Sequence, residues 1–194
     1  MNNLIISIEN NLIKFNIKAL AVDTNVLLWT FYGNTTYVQA YQKSIYPTFL
    51  ENVIERRGCK IYTTIYNICE LFNVIEKNEY ELYMKNHSIN PEDLNKKQYR
   101  AIIEERERLQ KIFKLLYNQI SQCMEIVEYQ INQDTLKEYN DNYEQHRYDI
   151  FDFALLKFCK ENNIEYVLTD DSDFASYEDY ISNMKIMTAN RNLK

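Results

Sequence analysis

Residues 19–28 read ALAVDTNVLL: an apolar tetrad, then Asp-Thr-Asn, then a second apolar run. Ala19–Val22 has the length and unbroken apolar character of a strand buried on both faces. Asp23 and Thr24 can cap a helix that continues through Val26–Tyr32. A buried strand that feeds a helix directly is the unit from which parallel α/β sheets are built.

The same unit recurs. Lys60–Thr64 offers a second short strand, followed by a helix through Asn67–Asn78. Glu165–Thr169 is a third strand and Lys185–Thr188 (KIMT) a fourth, with a helix over 149–162 placed before them. Residues 36–57 look helical and end at Gly58, a plausible C-terminal stop. Residues 4–17 (LIISIENNLIKFNI) fit both a helical stripe and, after Asn11, a strand-like alternation. Strands alternating with helices imply an α/β protein with a mostly parallel sheet.

Residues 79–145 are long, highly charged and helical in character. Leu109, Ile112, Phe113, Leu116, Ile120 and Met124 recur at three- and four-residue steps, the mark of an amphipathic helix. Pro91, in an Asn-Pro step, separates it from the helix before. No repeat or low-complexity linker interrupts the chain, so residues 1–194 are read as one domain carrying a helical insertion at about 79–145.

Composition bounds the function classes. With 46% hydrophobic residues the chain is globular, and no apolar stretch approaches the 18 residues of a membrane span. There is no leader with a charged start and a small-residue cleavage site, so a soluble cytoplasmic protein is expected. Its four cysteines form no C-x-x-C pair and lie in apolar stretches, which suggests core thiols in a reducing compartment and no zinc site. A net charge of −6 excludes a broadly basic nucleic-acid coat; any nucleic-acid contact must come from a local patch.

The acids are the informative residues. Ligands of an open parallel sheet bind beyond the carboxyl ends of its strands. Asp23 follows its strand directly, and Asp171 and Asp173 follow Leu168. Asp152 opens the apolar helix FALLKFC, with Asp149 one turn earlier, and Glu70 lies among Ile65, Ile68, Leu71 and Phe72. Taken singly, each has a plain structural account as a helix cap, a first-turn acid, an acidic turn or an edge residue. Taken jointly, carboxylates converging on one crevice repel one another unless a cation lies between them. Oxygen-rich sites suit Mg²⁺ or Mn²⁺, and two such ions clamped by carboxylates hydrolyse phosphodiesters.

At these residues the chain resembles the PIN-domain ribonucleases, the family that includes VapC-type toxins. The resemblance rests on AVDTNVLL, on Glu70 in TTIYNICELFNV, on Asp152 in DFALLKFCKENNI, and on Thr169–Phe174 as T-x-D-x-D-F before KIMTANRNL. It implies a three-layer sandwich: a central, mostly parallel sheet of four or five strands with helices on both faces. The implied metal ligands and catalytic acids are Asp23, Glu70, Asp152 and Asp171, with Asp173 and Asp149 as auxiliary ligands. Thr24 and Asn25 would position the Asp23 loop, and Thr169 would hydrogen-bond across the site. Asp170 falls at the variable position of the T-x-D pattern.

RNA is the implied substrate, with an antitoxin or other protein partner and a homodimer as further expectations. The insertion carries a basic run including Lys96, Lys97 and Arg100, which could grip RNA or form a salt-bridged solvated face. Arg147 and the Arg56-Arg57 pair are further candidates for phosphate contact. His87 and His146 read as surface residues. The alternatives are a PIN fold used for protein binding without cleavage and a haloacid-dehalogenase-like phosphatase. The phosphatase would need a second Asp where Asn25 stands. A receiver-type phospho-acceptor domain would need an acidic pair that KALAVD lacks.

Overall fold

The computed structural model describes residues 5–9, 16–34, 38–56, 58–145, 147–176 and 184–193. Its centre is β2 (Ala19–Val22), where Leu20, Ala21 and Val22 are fully buried. On one side β2 pairs with β3 (Lys60–Thr64), and β3 with β4 (Glu125–Val127). On the other side it pairs with β5 (Tyr166–Leu168), then β6 (Lys185–Thr188) and β1 (Ile5–Ser7). The order is β1-β6-β5-β2-β3-β4 and every pairing is parallel.

The helices are α1 (Thr24–Phe31), α2 (Ala40–Glu55), α3 (Ile65–Asn86), α4 (Lys96–Tyr99), α5 (Ile103–Cys123), α6 (Gln133–Asp141) and α7 (Ile150–Glu161). They form two layers, because alternate residues of each strand face opposite cores. Leu20, Val22 and Leu168 join a cluster with Val26, Leu50, Leu71 and Leu116 from α1, α2, α3 and α5. Ala21, Val167 and Ile186 join a second cluster with Phe153, Leu156 and Cys159 of α7. The three-layer α/β architecture expected from the sequence is present.

Among the described residues six strands replace the four or five expected, and the two additions are the edge strands β1 and β4. Each is three residues long with no fully buried residue, too short for an alternating pattern to declare itself. Ile5–Ser7 is the one strand among the described residues of the ambiguous 4–17 stretch; residues 11–15, most of the alternation after Asn11, lie outside the described residues. β4 also changes the account of 79–145. That stretch is not helical throughout, since Glu125, Ile126 and Val127 pair with Tyr62, Thr63 and Thr64 and extend the sheet.

The stripe on α5 behaves as its spacing suggests. Leu109, Leu116 and Ile120 are buried, and Phe113 stacks on Phe72 of α3 at 4.4 Å between ring centroids. α3 is longer than the Asn67–Asn78 of the sequence and runs to Asn86. Its distal half is fixed by Glu79, 3% exposed, which accepts from the Tyr32 hydroxyl (2.5 Å) and pairs with Arg108 of α5. Gly58, just past α2, has φ +99°, a backbone that only glycine takes without strain.

The cysteines are all free, but Cys69 is exposed, against the core placement expected of it. It occupies the solvent side of α3 while its neighbours Ile68 and Leu71 face the core. His87 is exposed, as expected; His146 and Arg57 lie outside the described residues. No helix among the described residues is long and apolar enough to cross a membrane.

Candidate active site at the carboxyl ends of the central strands

β2 and β5 are neighbours in register, Val22 opposite Leu168, so the residues that follow them emerge side by side. Asp23 N–H donates to the Leu168 carbonyl (3.1 Å), carrying the ladder one residue past β2. Asp23 is also the N-cap of α1: its Oδ1 accepts from Thr24 N–H at 2.6 Å. Its Oδ2 accepts from the Thr169 hydroxyl at 2.7 Å. The capping account of Asp23 is therefore correct and incomplete, for one oxygen caps while the other faces the neighbouring strand end.

Thr24 does more than follow Asp23. Its hydroxyl donates to Glu70 Oε2 at 2.7 Å, joining α1 to α3. Asn67, buried in the first turn of α3, donates to Thr24 Oγ1 (3.0 Å) and Asp23 Oδ1 (3.4 Å). Asn67 was missed from sequence. Its signal was Thr64-x-x-Asn67, a capping box in which each side chain serves the other's backbone, but a box does not disclose where the amide's spare donors point.

α7 begins with a second capping box. Asp149 Oδ1 accepts from Phe151 N–H (2.8 Å) and Asp152 N–H (3.0 Å), and Asp152 Oδ2 accepts from Asp149 N–H (3.3 Å). After β5, Asp171 N–H donates to Thr169 Oγ1 (3.0 Å), and Asp171 Oδ1 accepts from Asp173 N–H (2.8 Å). Glu70, Asp152 and Asp171 thus share a pattern. One oxygen of each is held by a protein donor, and the other has no donor among the described residues.

A model of the PIN domain matches residues 20–180, most of the chain and all the acids just described. The chain belongs to the PIN-domain family. No curated protein matched it. PIN domains are typically nucleases and generally use divalent metals.

Electrostatics in this PIN domain follow from crowding like charges in a shielded place. Burial raises the Asp23 carboxyl to about 7, with the charges of Glu70 and Asp171 adding and the Thr169 and Thr24 hydrogen bonds opposing. Burial raises Asp152 to about 9, helped by Asp23, Asp149 and Asp171. Glu70 is raised by burial and then by Asp149 and Asp171. Asp171 is raised by burial and then by Asp173, Asp149 and Asp170. The four acids therefore feel one another's fields, and none is in an ion pair among the described residues.

An all-oxygen donor set without basic partners fits a hard divalent cation. The set is not drawn tight: among the described residues no three acidic, histidine or cysteine side chains stand ready to grip an ion.

The other sequence candidates have surroundings of their own in this PIN domain. Asp170 anchors α2, accepting from Tyr46 (2.5 Å), Gln42 (2.6 Å) and Tyr41 (3.0 Å). Asn25 Oδ1 accepts weakly from Asp170 N–H at 3.5 Å. Arg100 is taken up by a two-pronged ion pair with Glu76, at 2.5 Å on each prong. That favours the salt-bridged account over an RNA grip for this residue. Lys96 and Lys97 are exposed on α4, and Arg147 is exposed two residues before Asp149.

Proposed function

We propose that the chain is a metal-dependent ribonuclease that hydrolyses RNA phosphodiesters with Asp23, Glu70, Asp152 and Asp171, flanked by Asp149 and Asp173. The observation that carries this reading is the unengaged oxygen on each of Glu70, Asp152 and Asp171 beside a buried Asp23. Bound Mg²⁺ or Mn²⁺ would supply Lewis acidity and an activated water.

The protein's own part is positioning. Thr24 and Thr169 hold Glu70 and Asp23 by their hydroxyls, which limits the orientations their carboxylates can take. Asp149 restrains the first turn of α7 and with it the direction of Asp152. No base from histidine is required. Arg147, with Lys96 and Lys97 farther off, is the basic residue nearest in sequence to take up RNA phosphates.

We read the chain as one domain, working in the cytoplasm as a toxin or defence effector held in check by an antitoxin or another protein, and able to pair with itself. Labelled RNA oligonucleotides incubated with Mn²⁺, with Mg²⁺ and with EDTA test the activity. Metal-dependent products with 5′-phosphate ends support it. No cleavage of any RNA rejects it in favour of a PIN fold that binds protein without cutting, and cleavage indifferent to EDTA rejects the metal dependence.

A further inference from the structure

Between Asp149 and Asp152 stands Phe151, an aromatic side chain left 39% exposed in the first turn of α7. A scattered exposed apolar residue is ordinary. Phe151 is not placed ordinarily. Its ring stacks on Tyr66 of α3, with centroids 5.4 Å apart and planes 26° from parallel. One face of Phe151 is thus covered and the ring is held in a set orientation.

Both rings are anchored at their backbones or tips. Phe151 N–H donates to Asp149 Oδ1 at 2.8 Å, and the Tyr66 hydroxyl accepts from Ile131 N–H at 3.2 Å. Tyr66 and Phe151 also belong to the two helix starts that bring Asn67, Glu70 and Asp152 to the crevice. A flat ring, pre-oriented beside acids that act on a sugar–phosphate chain, has the properties of a base-stacking platform. Stacking suits any base, because every base has a π-face, and it needs a base that is not already paired in a duplex.

We propose that Phe151, backed by Tyr66, stacks an unpaired base of the RNA and thereby sets which phosphate lies at the carboxylates. This rests on the ribonuclease reading above and adds to it the residue that selects single strands. Phe151 is a positioning residue and takes no part in bond breaking.

The test measures binding and turnover separately. In an Asp152→Asn background, which removes cleavage, the Kd for a fluorescein-labelled single-stranded RNA 12-mer is compared with that for a blunt RNA duplex by anisotropy. Adding Phe151→Ala or Phe151→Leu should weaken single-strand binding roughly 5- to 150-fold, the range one aromatic–base stack commands, and leave duplex binding unchanged. Phe151→Trp should restore it. Leucine keeps the apolar bulk that packs on Tyr66, so its loss together with rescue by tryptophan separates stacking from folding.

With Asp152 intact, Phe151→Leu should raise KM more than it lowers kcat. Single-strand affinity within twofold of the parent, or equal losses on duplex and single strand, overturns the platform while leaving the nuclease standing. If the parent neither binds nor cleaves RNA, the ribonuclease reading falls and takes the platform with it.

Discussion

Thr169 donates from its hydroxyl to Asp23 Oδ2 at 2.7 Å across 146 residues of chain, and Thr169 Oγ1 in turn accepts from Asp171 N–H at 3.0 Å. One buried hydroxyl therefore ties two acids of the crevice together. Thr169→Val keeps the shape and deletes both bonds, leaving a buried carboxylate short of a donor. Stability should fall by about 1–3 kcal/mol, and any RNA cleavage should drop at least as steeply. Thr169→Ser should recover most of both. Urea midpoints and cleavage rates of the pair check this; a valine variant as stable and active as the parent would contradict it.

The raised carboxyls set a pH dependence. A group whose folded pKa lies above its unfolded value binds protons more readily when folded, so stability falls as pH rises between the two. For Asp23 that window runs from 3.8 to about 7, and Asp152, Glu70 and Asp171 shift in the same direction. In EDTA the melting temperature should be higher at pH 5 than at pH 8. Mn²⁺ should raise it more at pH 8 than at pH 5, because a cation displaces fewer protons from the carboxyls there. A metal-free melting temperature that climbs from pH 5 to pH 8 would count against this account.

Asp152→Asn should separate chemistry from folding. Asparagine still offers an oxygen to Asp149 N–H, yet removes one of the mutually repelling charges. The metal-free variant should be at least as stable as the parent, while cleavage and Mn²⁺-induced stabilisation are largely lost. Differential scanning fluorimetry with and without Mn²⁺, beside the RNA assay, decides it.

Asp170 supplies the contrast. Its carboxylate takes hydrogen bonds from Tyr41, Gln42 and Tyr46 of α2, and its carbonyl accepts from Asn190 at 2.8 Å. Asp170→Ala should lower stability by about 1–3 kcal/mol or more, since buried donors lose their acceptor. The additional stability conferred by Mn²⁺ should survive. Loss of the metal response in an otherwise folded Asp170→Ala protein would make Asp170 a ligand rather than a tether.

Arg108→Met addresses the far end of α3. Glu79 is buried against Arg108 and Tyr32, and its charge would be left with the tyrosine hydroxyl alone. Stability should fall by about 2–4 kcal/mol, discounted here because Arg108 itself is partly exposed. Arg108→Met with Glu79→Leu should regain much of it, as chemical denaturation of the two variants will show.

The central strands were legible because Ala19–Val22 and Tyr166–Leu168 are short apolar runs buried on both faces, and the acids after them follow from the parallel topology. The edges were not, for β1 and β4 are three residues long and partly exposed, too short to carry a periodic signal. Within the crevice, carboxylates announce themselves by the cost of burying them. Asn67 does not, since an uncharged amide in a capping box gives no hint of a partner 44 residues away. Arg100 left two accounts open, because a basic run looks the same in sequence whether its charges are free or already matched by Glu76.

In a sheet whose strands all run one way, β2 finds its neighbour β5 only far along the polypeptide, with Asp23 and Thr169 146 residues apart. A nascent chain still on the ribosome carries Asp23 and Glu70 with nothing opposite them until that stretch has been made. Whatever the crevice can do is thus withheld through that interval of synthesis.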